Sequence, residues 1–216
     1  VVDHVSEWSK RNLFQLNCEK TKELIINFTR SHSPQFPEAF IDGKPIAQTT
    51  NAKLLGITIN SSLTWNDHIE ELVKKSSRKL YFLVQLKRAQ IAPKDLVAYY
   101  CAVIRSSLDY ACPVFHYSLP NYLQADLERV QKRALACIFP GKSYAEALST
   151  AGLVSIREHH STITKKLFQL IADNPGNKLH HLLPSKSCQT RYNIRRPRRF
   201  TLPLAKTKRF ADSFII

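Results

Sequence analysis

The spacing of apolar positions changes character near residue 66. Before it, Val1, Val5, Trp8, Phe14 and Leu16 recur at roughly helical intervals, and Asn17 precedes the extended-looking run Leu24-Ile25-Ile26-Asn27-Phe28. This pattern predicts helix, turn and strand. Pro34 and Pro37 interrupt the next stretch, and Phe40-Ile41 then leads into the turn signal Asp42-Gly43, with another short strand expected beyond it. Lys53-Leu54-Leu55-Gly56-Ile57-Thr58-Ile59 has the β-branched and apolar content of a strand, with Gly56 permitting a close backbone approach or a bulge. Residues 1–65 therefore read as a small α+β element.

From Asn66 onward, Ile69, Leu72, Val73, Ser76, Leu80, Leu83 and Leu86 recur every three or four residues, as a helix with one buried stripe requires. Lys74, Lys75, Arg78 and Lys79 fall on its other side. Pro93 opens a second predicted helix through Leu96, Val97, Tyr100, Val103, Ile104 and Leu108, and Pro113 and Pro120 bound a connector. A third helix is predicted near Leu123, Leu127, Val130, Ala134 and Ile138, stopped by Pro140-Gly141. A turn or two of helix at Tyr144–Leu148 and a fourth helix through Ile163, Leu167, Leu170 and Ile171 come next. Residues 66–183 thus read as a helical bundle. Beyond Pro184 the period weakens and Arg191, Arg195, Arg196, Arg198, Arg199, Lys206, Lys208 and Arg209 accumulate, so 184–216 is expected to be a basic extension, either phosphate-binding or solvated.

Composition sharpens this picture. A 44% apolar content in 216 residues supports a packed core, and a formal charge of +15 favours a polyanionic partner. Net charge rises along the chain, from +1 over residues 1–60 to +6 over 61–180 and +8 over 181–216. Five widely spaced cysteines with no CxxC argue against a disulfide framework or a compact zinc site and suit a reducing, intracellular compartment. No apolar run approaches the ~18 residues of a membrane span, and no membrane partner is expected.

The candidate chemistry is sparse. His159-His160 and His180-His181 lack a local pattern that completes a metal shell, so surface, capping or packing roles are the simpler reading, and no metal is expected. The sequence has no HxD segment, no Walker loop, no GxSxG elbow and no adjacent Asp-Asp pair of the kind that holds two divalent cations for polymerisation. Asp42 reads as a turn residue and Asp67 as an N-terminal capping residue. Trp8 and Trp65 could stack on bases, but aromatics beside an apolar period read more simply as core.

Trp8-Ser9, Leu16-Asn17, Lys20-Thr21-Lys22 and the run ending at Phe28 resemble the region after the catalytic strand pair in reverse transcriptases of non-LTR, LINE-like retrotransposons. Lys53–Ile59 with Leu63-Thr64-Trp65 and His68-Ile69 resembles that family's primer grip and its passage into the thumb. Ala98–Tyr100, Leu108–Ala111 and Leu127–Ala134 resemble the helices beyond the polymerase palm. The likeness spans about 5–183. It implies an α+β fold: a small partial palm with a primer-grip hairpin, then a mainly α-helical thumb-like bundle.

The same resemblance implies that the chain is a non-catalytic part of an RNA-directed DNA polymerase, positioning primer and template during reverse transcription. Its partners would be an RNA template with a DNA primer, or an RNA/DNA hybrid, together with the palm and fingers portion it lacks. No cofactor is expected for this piece, whereas the complete polymerase would use Mg²⁺ or Mn²⁺. Lys20 or Lys22 would assist at phosphate, and Leu54, Leu55, Gly56 and Ile57 would position the primer. Lys74, Lys75, Arg78, Lys79, Arg195, Arg196, Arg198 and Arg199 would contact nucleic acid. One alternative is a standalone retroelement-derived nucleic-acid-binding or structural protein. Another, an AlkB-type alkylated-DNA-repair-associated domain, lacks support from any HxD motif or glycine-rich cofactor signature.

Overall fold

The computed structural model describes residues 2–27, 36–185 and 200–201. Within it the chain forms two compact units, Val1–His68 and Ile69–Ile216. The first is a small α+β unit and the second is helical, so the chain is α+β with a helical bundle. Among the described residues, no helix is long and apolar enough to cross a membrane.

In the first unit, helix α1 spans Val2–Arg11, with Asp3 in its first turn and Lys10 and Arg11 in its last, complementing the helix dipole. It stops short of Phe14 and Leu16 because the chain turns at Leu13, which has a φ of 59°. Asn12 Nδ2 donates to the Trp8 carbonyl at 2.8 Å. That reversal lays Phe14 parallel to Trp8, ring centroids 5.9 Å apart. Trp8 is therefore 54% exposed rather than a core residue, and its covering partner is a neighbour in sequence.

Six short strands come after α1. β1 (Lys22–Glu23) pairs in parallel with β4 (Ala47–Gln48), and β2 (Phe40–Ile41) pairs antiparallel with β3 (Lys44–Pro45) across Asp42-Gly43. The strand expected over Leu24–Phe28 is not formed at 24–27, and Phe28 lies outside the described residues. The available partner is only two residues long, and the bond from Thr49 N–H to the Glu23 carbonyl, 2.8 Å, lies just past the last pair.

The residue pattern over 53–59 reads as strand with a bulge permitted at Gly56, and the resemblance implies a hairpin there; the chain forms the hairpin. β5 (Asn51–Leu54) and β6 (Ile57–Asn60) form an antiparallel hairpin with Leu54 opposite Ile57. Leu55 and Gly56 occupy the turn with φ of 47° and 83°. Positive φ at both central residues belongs to the type I′ turn, whose twist matches that of the strands.

Helix α2 covers Asn66–Arg88 and buries Leu72, Ser76, Leu80 and Leu83, with Val73 and Leu86 half-buried. α3 (Pro93–Tyr99), a π-helical segment (Tyr100–Arg105) and α4 (Ser106–Asp109) run as one continuous helical stretch, since both junction residues keep right-handed helical geometry. The connector between Pro113 and Pro120 is itself largely helical: α5 spans Cys112–Phe115, and a 3₁₀ turn spans His116–Ser118.

α6 (Asn121–Ile138) buries Leu123, Leu127, Val130, Ala134, Leu135 and Ile138. α7 (Tyr144–Ala151) and α8 (Ile156–Asp173) each begin with a capping box, Ser143 with Glu146 and Ser155 with Glu158. α6 packs against α3, α7 and α8, and α5 against α8. Tyr100, Ile104, Leu108, Phe115 and Ile156 complete the core between them. Phe200 meets Phe168 of α8 edge-on at 6.0 Å.

Candidate nucleic-acid interface

The hairpin tip is apolar and outward-facing. Leu54 is 61% exposed and Leu55 81%. Left-handed backbone at a leucine is unfavourable, whereas Asn or Gly would adopt it readily. The base of this hairpin is fixed to the first turn of α2. Asn60 Nδ2 donates to Asp67 Oδ2 at 3.0 Å, and its Oδ1 accepts from Thr64 N–H at 2.8 Å. Thr58 N–H donates to Nδ1 of the buried His68 at 3.3 Å. Asp67 therefore acts as the side-chain acceptor that ties strand to helix start. Trp65 is half-buried, edge-on to His68 at 6.2 Å.

The four α2 cations separate into two groups. Lys74, Lys75 and Arg78 are exposed, with Lys74 ion-paired to Glu70 one turn earlier. Lys79 turns inward and donates to the Val103 carbonyl at 2.8 Å and to Ser107 Oγ at 2.5 Å, joining α2 to the π segment and α4. Burial, and then the neighbouring Lys75 charge, hold its ammonium below the usual lysine range. Lys87 likewise reaches the Ile138 carbonyl at 3.2 Å, where the C-terminal end of α6 favours a cation.

Lys20 and Lys22 are both exposed in the first unit; the Lys20 N–H donates to Asn17 Oδ1 at 3.0 Å, and Lys22 lies in β1. Asp42 pairs with Lys10 at 2.7 Å and stands at a tight turn. Arg195, Arg196, Arg198 and Arg199 lie outside the described residues.

The helical unit also contains a buried polar cluster that local sequence patterns do not announce. Asp109 ends α4, where the helix dipole disfavours an acid. His159 Nε2 and His160 Nε2 donate to its two carboxylate oxygens at 3.1 and 2.9 Å, and Arg105 Nε lies 3.8 Å away. Arg105 is 6% exposed, and among the described residues its Nε has no hydrogen-bond partner.

The His160 ring meets His116 edge-on at 5.6 Å. Burial first, then His160 and Arg157, push His116 down to about 4. Burial also lowers His159, against the opposing pull of Asp109, and raises Cys112 to about 12. The second histidine pair is split, with His180 Nδ1 donating to the Ile171 carbonyl at 2.8 Å near the end of α8. Among the described residues, no group of three or more His, Cys, Asp or Glu side chains is placed to hold a metal ion.

Two comparisons bear on this geometry. Over 136 residues, 62% of this chain, the sequence is 22% identical to a probable RNA-directed DNA polymerase from transposon X-element of Drosophila melanogaster. The matched stretch spans 14% of that relative's length. This distant likeness supports a reverse-transcriptase-like origin.

The family model described as alkylated DNA repair protein alkB homolog 8, N-terminal, matches residues 65–106, which comprise α2, α3 and the π segment with their connections. The histidine in that stretch, His68, is buried against Thr58, while the nearby Glu70 is exposed and paired with Lys74. No solved structure matches.

Proposed function

We propose that this chain is a nucleic-acid-positioning part of a reverse-transcriptase-like protein, holding primer and template, or an RNA/DNA hybrid, rather than performing the bond chemistry itself. The observation that carries the reading is the outer face of α2. From Leu72 through Lys94 the sequence has seven cations and no acid, and Lys74, Lys75, Arg78 and Arg88 remain exposed to meet phosphate. The apolar hairpin tip at Leu54-Leu55 and the distant likeness to the transposon RNA-directed DNA polymerase support the same reading. Positioning of a reacting end can contribute strongly to rate without any bond chemistry by the positioning residue.

The test is twofold. The purified chain should bind an RNA/DNA hybrid in a salt-dependent manner, and replacement of Lys74, Lys75 and Arg78 by Ala should weaken that binding and flatten its salt dependence. Supplied with primer, RNA template, nucleotides and Mg²⁺ or Mn²⁺, the chain alone should synthesise no DNA. Sustained extension free of contaminating polymerase would replace positioning with catalysis. Absence of any hybrid binding would remove nucleic acid from the account.

A further inference from the structure

We propose that Tyr81 and Phe82 on α2 form a stacking platform for the unpaired bases of single-stranded nucleic acid. The inference rests on the nucleic-acid-positioning reading above and specifies what its central helix face takes. Helical periodicity places Lys74, Arg78, Tyr81, Gln85 and Arg88 along one side, opposite the buried Leu72, Ser76, Leu80 and Leu83. Phe82 lies beside this row, one turn beyond Arg78 and two beyond Lys75.

Tyr81 is 61% exposed and Phe82 58%, on a helix whose other face is already packed. Their rings stand edge to face, centroids 5.5 Å apart at 78°, so they are steeply inclined and not stacked on each other.

The charges decide the occupant. An exposed aromatic pair alone would equally suit an apolar protein surface. Here, however, Lys74, Lys75 and Arg78 precede the pair, Arg88 comes after it, and no acid occurs between Glu71 and Asp95. Lys79 and Lys87 are drawn onto backbone carbonyls, leaving Lys75, Arg78 and Arg88 outward at the two ends of the aromatic patch, with Lys74 exposed and ion-paired to Glu70. Lys74 to Arg88 spans about 21 Å at the α-helical rise.

A partner complementary to cation, π face, cation is a polyanion with accessible base faces. A duplex buries those faces in its stack, whereas a single strand presents them. RNA and DNA share this chemistry.

The experiment uses the full 216-residue chain. Anisotropy titrations across a salt series would compare single-stranded RNA, single-stranded DNA and a duplex of the same length, with 2-aminopurine in the single strands reporting stacking. The Tyr81→Leu/Phe82→Leu double variant keeps apolar bulk and removes the rings, Tyr81→Phe keeps the ring, and Lys74→Ala/Lys75→Ala/Arg78→Ala removes charge.

The double variant should lose roughly 5- to 150-fold in single-strand affinity for each stacked base given up. It should also lose the 2-aminopurine signal, while keeping its duplex affinity and its salt slope. Tyr81→Phe should bind as wild type. The charge variant should bind every nucleic acid more weakly, with a single-strand salt slope shallower by about 0.7 per phosphate contact removed.

Unchanged single-strand binding by the leucine variant, or an equal loss on duplex, overturns the platform while the charge variant still upholds the wider reading. A wild-type chain that binds none of the three overturns both. Because both side chains are exposed, the thermal midpoint of the leucine variant should match wild type, and a shared aromatic contact inside the fold would show as a lowered midpoint and overturn the platform.

Discussion

Gln131, fully buried in α6, is held at both ends of its amide. Its Oε1 accepts from Tyr100 Oη at 2.7 Å, and its Nε2 donates to Tyr144 Oη at 2.8 Å and to the Val154 carbonyl at 3.0 Å. Gln131→Leu should strand the Tyr100 hydroxyl and the Val154 carbonyl, while Tyr144 keeps its bond to Glu128, and cost about 1–3 kcal/mol in urea denaturation. Combining it with Tyr100→Phe should cost less than the sum of the two single changes, since an orphaned hydroxyl is removed as well. Strict additivity would show that the amide and the phenol act independently.

His116 gives a pH test. Its folded-state value of about 4 lies below the ordinary 6.5, so the unfolded chain takes up the proton first as pH falls. The stabilisation is fully present above about 6.5 and is lost between there and about 4, at most roughly 3 kcal/mol from this residue. The lowered His159 acts in the same direction, while Arg157, His160, Arg105 and Asp109 supply the surrounding charges. His116→Phe should flatten the fall in melting temperature across that range, and an unchanged profile would assign acid sensitivity elsewhere. None of these partnerships is legible in sequence, because Asp109 meets His159 and His160 only after α4 and α8 are brought together.

At the scale of elements, the long apolar periods were readable and the irregular joints were not. Helices α2 and α6 track stripes that recur every three or four residues over many turns, a signal strong enough to outweigh local preferences. By contrast, α8 forms where expected but leaves Leu170 exposed and buries His160 and Thr164 beside Ile156 and Ile171. Leu72→Ala, at a residue 8% exposed within that α2 stripe, should cost about 2–5 kcal/mol, measured by chemical denaturation. No measurable loss would remove Leu72 from the core.

The π segment at Tyr100–Arg105 leaves no such trace, because one wider turn barely alters the apolar spacing around it. The β5–β6 turn is weakly signalled by the residues themselves for a different reason, and it is the family resemblance that implies the hairpin. Leu-Gly replaces the Asn-Gly or Asp-Gly that would announce a type I′ turn, so the apolar run looked continuous. Leu55→Asn should therefore raise stability by about 0.5–1 kcal/mol by relieving left-handed strain. If the exposed leucine serves a nucleic-acid end, the same change should weaken hybrid binding, and a variant that is more stable with undiminished binding would separate the tip from function.

At the scale of the whole molecule, the +15 charge favours a polyanionic partner, and the fold shows which of the described cations face outward. The sequence could count cations but could not show that Lys79 and Lys87 are used on carbonyls, since that depends on which helix ends come within reach. Among the outward cations are the group on α2, Lys132 and Arg133 on α6, and Lys165 and Lys166 on α8. The sequence adds a cluster at Arg195, Arg196, Arg198 and Arg199, in a segment from 181 to 216 with nine cations against one acid. Such a cluster, without a clear apolar period, fits phosphate anchoring better than base reading.

Neutral replacement of those four arginines should weaken binding to unrelated RNA and DNA sequences by similar factors. On duplex DNA the slope of log affinity against log salt should become shallower by about 0.9 for each phosphate contact removed. Circular dichroism should show the helical content unchanged. Because the α2 cations act through the same counterion release, combining the two sets of replacements should add their slope changes if each holds separate phosphates. A loss confined to one sequence would replace anchoring with base recognition, and an unchanged affinity and slope would remove the arginine cluster from the binding surface.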